Sequence, residues 1–306
     1  MDNCRSKSNL YTILFILVVT TIIYLNVSYQ QILYNSFTQV IGLNTLQIKQ
    51  NYIINLDRRP DRWDKFISTM NSNKLFSKEP HTRFSAFDGN KHIEELQRFK
   101  LVDHPLIKKI KEKKLVIPKG VFGCMISHLM ILYKIRDDPT LLDNDYVGIF
   151  EDDFFFSNNF DTNYAIFKTI NLNSLDVELL YLGGRSNSDY NIVSHMHQRT
   201  ANPNIYYRSN YDIKSEDVWC RGAFSYAVRK SACNKLIDCI INDFLSPKYG
   251  DPFKPVDHIY TDAYQTIKTF DFFPHLFYAE VNAPYSDIQH SLNNKIEFYS
   301  NNYIYF

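Results

Sequence analysis

The sequence predicts an α/β protein with a largely parallel sheet, on three observations. From residue 50 onward, short apolar runs alternate with amphipathic stretches, as strands joined by helices do. The first run breaks at a proline-containing turn and leads into a helical pattern, so a strand, turn, helix unit stands at the start. No internal repeat and no long low-complexity linker divides residues 50–306, so one domain of enzyme size is expected.

Size and charge narrow the classes. A chain of 306 residues with 45% hydrophobic content can bury a sizeable core. Its net charge of +1, from 34 basic and 33 acidic residues, gives no broad electropositive surface for nucleic acid. An anionic ligand must then be met by a local cluster. The five cysteines, Cys4, Cys124, Cys220, Cys233 and Cys239, include no CxxC pair, which argues against a zinc ribbon or a disulfide framework. Cys233 and Cys239, six apart on one predicted helix, read as small apolar residues on different faces.

The N-terminus differs from the rest. "LYTILFILVVTTIIYLNV", residues 10–27, carries no charge, and at about 1.5 Å per residue it spans roughly 27 Å, close to a bilayer core. Arg5 and Lys7 precede it, and the next basic residue is Lys49, so the positive-inside rule places residues 1–9 in the cytosol and the body across the membrane. A single-pass type II anchor is expected, followed by a polar stalk at 28–48 and a catalytic domain at 49–306. A cleaved signal peptide and a buried core helix are the competing readings; no small-residue cleavage site follows the segment.

The elements then follow in order. "NYIINL", 51–56, is the first strand, and "DRRPDR" ends it, with Asp57 as a cap and Pro60 opening a helix through Trp63, Phe66, Ile67 and Met70. "TRFSAF", 82–87, alternates like a strand and stops at the turn dipeptide Asp88-Gly89. A charged, Lys-rich stretch reads as exposed. "GVFGCMISHLMILYKI" gives a helix at about 121–136 that is apolar nearly all round and so buried between layers. "DYVGIF", 145–150, is a buried strand. Further strands are expected at 176–184 and 218–229, a helix at 231–244 beginning at Ser231, a helix at "PVDHIYTDAY", and a late strand near "HLFYAE".

Three carboxylates, Glu151, Asp152 and Asp153, stand at the carboxyl end of that buried strand, where open α/β sheets bind ligands. In extended chain Glu151 and Asp153 share a face and Asp152 points away. Two converging oxygens suit a hard divalent cation, Mg²⁺ or Mn²⁺, which completes its shell with water and phosphate. The competing reading is a solvated acidic turn before a helix at 158–170. Arg58, Arg59 and Arg62 gather at the end of the first strand, where guanidinium forks suit a diphosphate or a base edge; any one of them could equally be solvated or paired with Asp57 or Asp61. His128, in an apolar helix beside Ser127, reads by itself as a satisfied core residue. Asp257 and Asp262, five apart on one helix, do not share a face, and each is either a general base or a helix-start residue. His290 offers a late metal or phosphate contact, or belongs to a solvated loop. The pair His195 and His197 lacks a third ligand. No GxSxG, GxxxxGK[ST] or GxGxxG occurs, which removes serine-hydrolase, P-loop and dinucleotide readings.

Seven stretches in order, "YIINLDRRPDRW", "RFSAFDGN", "GVFGCMISHLMIL", "YVGIFEDDFFF", "LLYLGG", "RGAFSYAVRKSACNKLI" and "PVDHIY", resemble glycosyltransferase family 25. This family holds bacterial lipooligosaccharide galactosyltransferases and procollagen galactosyltransferases. The resemblance implies a GT-A type fold, a nucleotide-sugar donor, typically UDP-galactose, dependence on Mn²⁺ (or Mg²⁺), and inversion at the anomeric carbon. It places Glu151, Asp152 and Asp153 in the family's acidic motif, Asn55, Asp57, Arg58, Arg59 and Arg62 at the nucleotide, Ser127 and His128 in the family's SH pair, and Asp257 after the late helix. Val121 or Phe122, between Gly120 and Gly123, stands where the family often has Glu. The implied reaction moves a hexose from a UDP-sugar to a glycan or protein acceptor, including a collagen-like one, by a single displacement. Asp153, with Glu151 or Asp152, would hold the metal, and Asp257 would serve as base. Two readings compete with it: UDP-glucose as donor, and a membrane-anchored binding or structural module that keeps the fold without turnover.

Overall fold

The computed structural model describes residues 48–184, 197–208, 222–246, 253–279 and 303–306. These include seven α-helices among the described residues, set around a central sheet. The expected anchor at 10–27, the stalk up to residue 47 and His290 lie outside the described residues. Among the described residues no helix is long and apolar enough to cross a membrane.

The chain opens with β1 (Ile48–Asn55), α1 (Pro60–Ser72) and β2 (His81–Ser85). Pro60 starts α1, where a missing N–H costs nothing. Arg59, not Asp57, occupies the cap position. Asp57 instead accepts a hydrogen bond from Ser85 at 2.6 Å and pairs with Arg83 at 2.9 Å, which ties the β1 turn to β2.

The charged, Lys-rich stretch holds regular structure. It folds into α2 (His92–Arg98) and α3 (Pro105–Glu112) before the short β3 (Val116–Pro118). In α3 the apolar residues Leu106, Ile107 and Ile110 are fully buried while Lys108, Lys109 and Lys111 face out, an amphipathic pattern too short to stand out among so many lysines. Next comes α4 (Lys119–Asp137), buried on most sides as its composition requires, then β4 (Tyr146–Glu151), β5 (Phe154–Phe156) and α5 (Phe160–Phe167).

The later elements are β6 (Leu179–Tyr181), β7 (Gly183–Gly184), β8 (His197–Arg199), β9 (Ile205–Arg208), β10 (Ser225–Arg229), α6 (Cys233–Asp243), α7 (Val256–Asp262), β11 (Thr269–Phe272), β12 (Phe277–Ala279) and β13 (Tyr303–Tyr305). Ser231 lies inside a 3₁₀ turn, Lys230–Ala232, that precedes α6. The run expected as one strand at 176–184 splits in two: β6 joins the main sheet, and β7 pairs with β12 in a small sheet of order β5-β12-β7.

The main sheet has the order β2-β1-β4-β10-β6-β11-β9-β8. It is parallel at β2-β1-β4 and at β6-β11, but β10 runs antiparallel to both of its neighbours, as does β9 to β11 and to β8. The sheet is therefore mixed and mostly parallel in direction: β9 and β10 run against its other six strands. A mixed α/β architecture of this kind fits the GT-A type.

Side chains alternate across the sheet. Tyr52, Ile54, Val147, Ile149, Tyr226 and Val228 pack against α4, α6 and α7. Ile53, Phe150, Leu180 and Ala227 face the opposite way, toward α1, α5 and an aromatic cluster. At that cluster's centre Phe76 makes edge contacts with Phe150, Phe154, Phe156 and Phe277, and each such buried ring contributes roughly 1.5–3 kcal/mol.

Candidate active site

The aromatic runs around the triplet explain its placement. Phe150 closes into the cluster on one side of Glu151-Asp152-Asp153 and Phe154 on the other, so the three acids sit in a turn clamped at both ends. Glu151 is the last residue of β4, and Asp152 and Asp153 form the turn into β5. A turn suspends strand alternation. Asp152, expected to point away, lines the same cavity as Glu151 and Asp153.

That cavity has a volume of about 320 Å³ and lies at the carboxyl edge of β1 and β4. Its remaining walls are the segment after β2, the first turns of α4, and Arg58 and Arg62. Ser127 Oγ accepts from the Phe87 amide at 2.9 Å and donates to the Gly123 carbonyl at 2.7 Å. This staples the segment after β2 onto α4. Two glycines permit the approach: a Cβ at Gly123 would fall 2.7 Å from the Phe87 carbonyl oxygen, and one at Gly89 would fall 2.2 Å from that of Lys119.

On the arginine side, Arg62 bridges two acids, with Nη2 2.5 Å from Asp152 and 2.8 Å from Asp153. Asn55, the last residue of β1, donates to Asp152 at 2.5 Å and accepts from Arg83 at 2.6 Å and 2.9 Å. Arg58 donates to Asp88 at 3.2 Å at the cavity wall. Arg59 pairs with the exposed Asp61 at 2.8 Å.

On the helix side, His128 is fully buried and is not an isolated core residue. Its Nε2 lies 3.3 Å from Glu151 and its Nδ1 lies 2.9 Å from the Tyr226 hydroxyl. Cys124, one turn earlier on α4, directs its thiol at the same Glu151 oxygen at 3.8 Å.

The acids respond differently. Burial pushes Glu151 up, but the hydrogen bond and charge of His128, with Arg62 and Cys124, pull further and hold it below the usual carboxylate range. Burial raises Asp152 against the pull of Arg62 and Asn55. Burial, and then the charge of Glu151, push Asp153 up to about 7 despite Arg62. A carboxylate held this close to protonation by its neighbours marks a place short of positive charge. The hard oxygen donors of Glu151 and Asp153 fit a divalent cation there.

The expected residues are therefore partly assembled. Arg58, Arg62, Ser127, Glu151, Asp152 and Asp153 line the cavity, with Asn55 and His128 directly behind two of the acids. Asp57 and Arg59 are engaged beside it. Asp257, in the first turn of α7, is near enough for its charge to act on Cys124. Asp262, at the other end of α7, pairs with the buried Lys254 at 3.0 Å, and nothing places it at the cavity wall. Sequence reasoning missed Lys119, Asp88 and Cys124, all in the wall. Asp88 read only as a turn residue, while the four-residue spacing of Cys124 and His128 was an available signal for a shared helix face.

The family described as glycosyltransferase family 25 (LPS biosynthesis protein) matches residues 48–259. The chain belongs to this family. It is a transferase of the glycosyltransferase class, and the matched span runs from β1 into α7, taking in every residue of the cavity wall. Among curated proteins, none matches the sequence of this family 25 member.

Proposed function

We propose that the cavity is the donor site of a hexosyltransferase that takes galactose from UDP-galactose, with UDP-glucose as the second candidate donor. The acceptor is a hydroxyl of a glycan or of a protein side chain, such as hydroxylysine in a collagen-like chain. The observation that supports this is the convergence of three carboxylates with Arg58, Arg62 and Lys119 on one cavity.

Glu151 and Asp153 would hold Mn²⁺ or Mg²⁺, which when bound neutralises charge on a diphosphate and on departing UDP. Arg58, Arg62 and Lys119 bind phosphate oxygens through charge-assisted hydrogen bonds. Asn55 and His128 orient Asp152 and Glu151. Asp257 takes the acceptor proton as general base; the acceptor oxygen bonds to the anomeric carbon as the bond to UDP breaks on the opposite face, which inverts the configuration. The ion pair to Lys254 makes Asp262 the weaker candidate for this role. Residues 10–27 anchor the chain as a single-pass type II protein, with the enzyme on the lumenal or external side of a secretory-pathway or viral membrane.

The test is a screen of UDP-sugars with Mn²⁺, reading released UDP with and without added acceptors. The expected outcome is release from UDP-galactose that disappears in chelator. No release from any UDP-sugar above the chelated control overturns the reading.

A further inference from the structure

The proposed reaction gives the Cys124 thiol nothing to do, although it shares a target with His128. The two residues stand one turn apart on the same face of α4. Cys124 Sγ lies 3.8 Å and His128 Nε2 3.3 Å from the same oxygen, Oε1 of Glu151, and the three donor atoms fall within 4.8 Å of one another. Bonds of about 2.0–2.3 Å in a tetrahedral zinc site set its ligands roughly 3.3–3.7 Å apart. Little movement separates this trio from such a site.

Two further features point to a cation. A metal-ligating histidine ordinarily has its second nitrogen held by an outer partner, and here Nδ1 of the fully buried His128 meets Tyr226, whose hydroxyl is 3.2 Å from that of Tyr260. Cys124 and Glu151 both line the cavity, which leaves a fourth position open toward it.

We infer that Cys124, His128 and Glu151 form a binding site for a soft or borderline divalent cation, zinc first among them, that shares Glu151 with the all-oxygen donor site. The thiol proton leaves to solvent as the sulfur–metal bond forms, and thiolate with imidazole favours zinc over manganese. Zinc bound there draws Glu151 away from the donor cation and inhibits transfer. The inhibition rests on the proposed function; the binding does not.

Cobalt(II) reports the site without any assay of activity. Titrated into the purified full chain, one equivalent is expected to give a near-ultraviolet thiolate-to-cobalt charge-transfer band that zinc displaces. Cys124→Ser loses the band and weakens cobalt binding by about tenfold or more, while Cys239→Ser retains both. Cys124→Ala replaces the serine variant if that one fails to fold. Absence of the band, or its survival in both Cys124 variants, overturns the site. In the second arm, zinc lowers manganese-supported transfer in the native chain far more than in Cys124→Ser, each against its own zinc-free rate. Equal inhibition overturns the regulatory half. A chain that binds cobalt through Cys124 but transfers no sugar with any metal instead overturns the donor reading and leaves the site standing.

Discussion

The two walls of the cavity are built on opposite principles. The α4 wall is buried and internally satisfied: Ser127 uses its hydroxyl in both directions, and His128 is held between Glu151 and Tyr226. The arginine wall is a set of ion pairs, the outermost of them between Arg58, whose side chain is 37% exposed, and Asp88. Exposed pairs are weak and exchange partners at little cost. A buried network holds one geometry, because any displacement leaves a polar group unpaired. So α4 fixes Glu151, whereas Arg58, paired with Asp88 at the rim, can exchange that partner for an incoming anion, and Arg62 stays closer to Asp152 and Asp153.

Substitutions can break this contrast, and the largest effect is expected next to the α4 wall. Asp257→Asn should lower transfer by about 10²–10⁴-fold if the residue is the base, with UDP binding unchanged by calorimetry; undiminished turnover removes it from the mechanism. Asp153→Ala should cost about 10²–10³-fold in kcat, the scale of losing one electrostatic stabiliser, and should abolish the response to Mn²⁺. A variant that keeps full activity in chelator sinks the metal assignment. His128→Leu takes one of two partners from the Tyr226 hydroxyl and from Oε1 of Glu151, and should destabilise the chain by about 1–3 kcal/mol in urea denaturation. Were it as stable as the parent, the α4 wall would not be the rigid one.

A smaller effect is expected from pH. In metal-free protein Asp153 titrates at about 7 against about 3.9 in an unfolded chain. The folded state therefore binds more protons between those values, and the stability this group contributes is full below about pH 4 and declines as pH rises toward 7. The side chain is 37% exposed, so solvent screens part of the effect. Thermal melts of chelated protein across this range should show a decline that is shallower in Asp153→Asn; equal slopes would count against the shift. Arg59→Ala should do least, leaving the melting temperature within error and turnover close to native, and a large loss in either would place Arg59 in the site after all.

Much of the architecture was legible because strands buried on both faces announce themselves as apolar runs. The β1 turn, α4 and β4 all lie close to where their patterns put them. Two short helices were hidden by their charged outer faces, with Glu94 and Arg98 on α2 and lysines on α3, and the antiparallel course of β10 has no local signature, because strand direction depends on where the connecting chain crosses the sheet. The order of the motifs carried the family. The site was legible as residue types but not as contacts: the separation of Asp257 from Asp262, one acting on Cys124 and the other paired with Lys254, follows from how α7 docks.

The sequence by itself determined the alternation of elements, the family, and the presence of three acids at a strand end, since periodicity and motif order are properties of the chain. Only the tertiary structure decided that all three acids face one cavity, that His128 and Cys124 converge on Glu151, and that Asp153 is pushed toward neutrality while Glu151 is held ionised. The physical reason is that charge and burial are set by neighbours distant along the chain, and packing alone brings α4, the β1 turn and the end of β4 together.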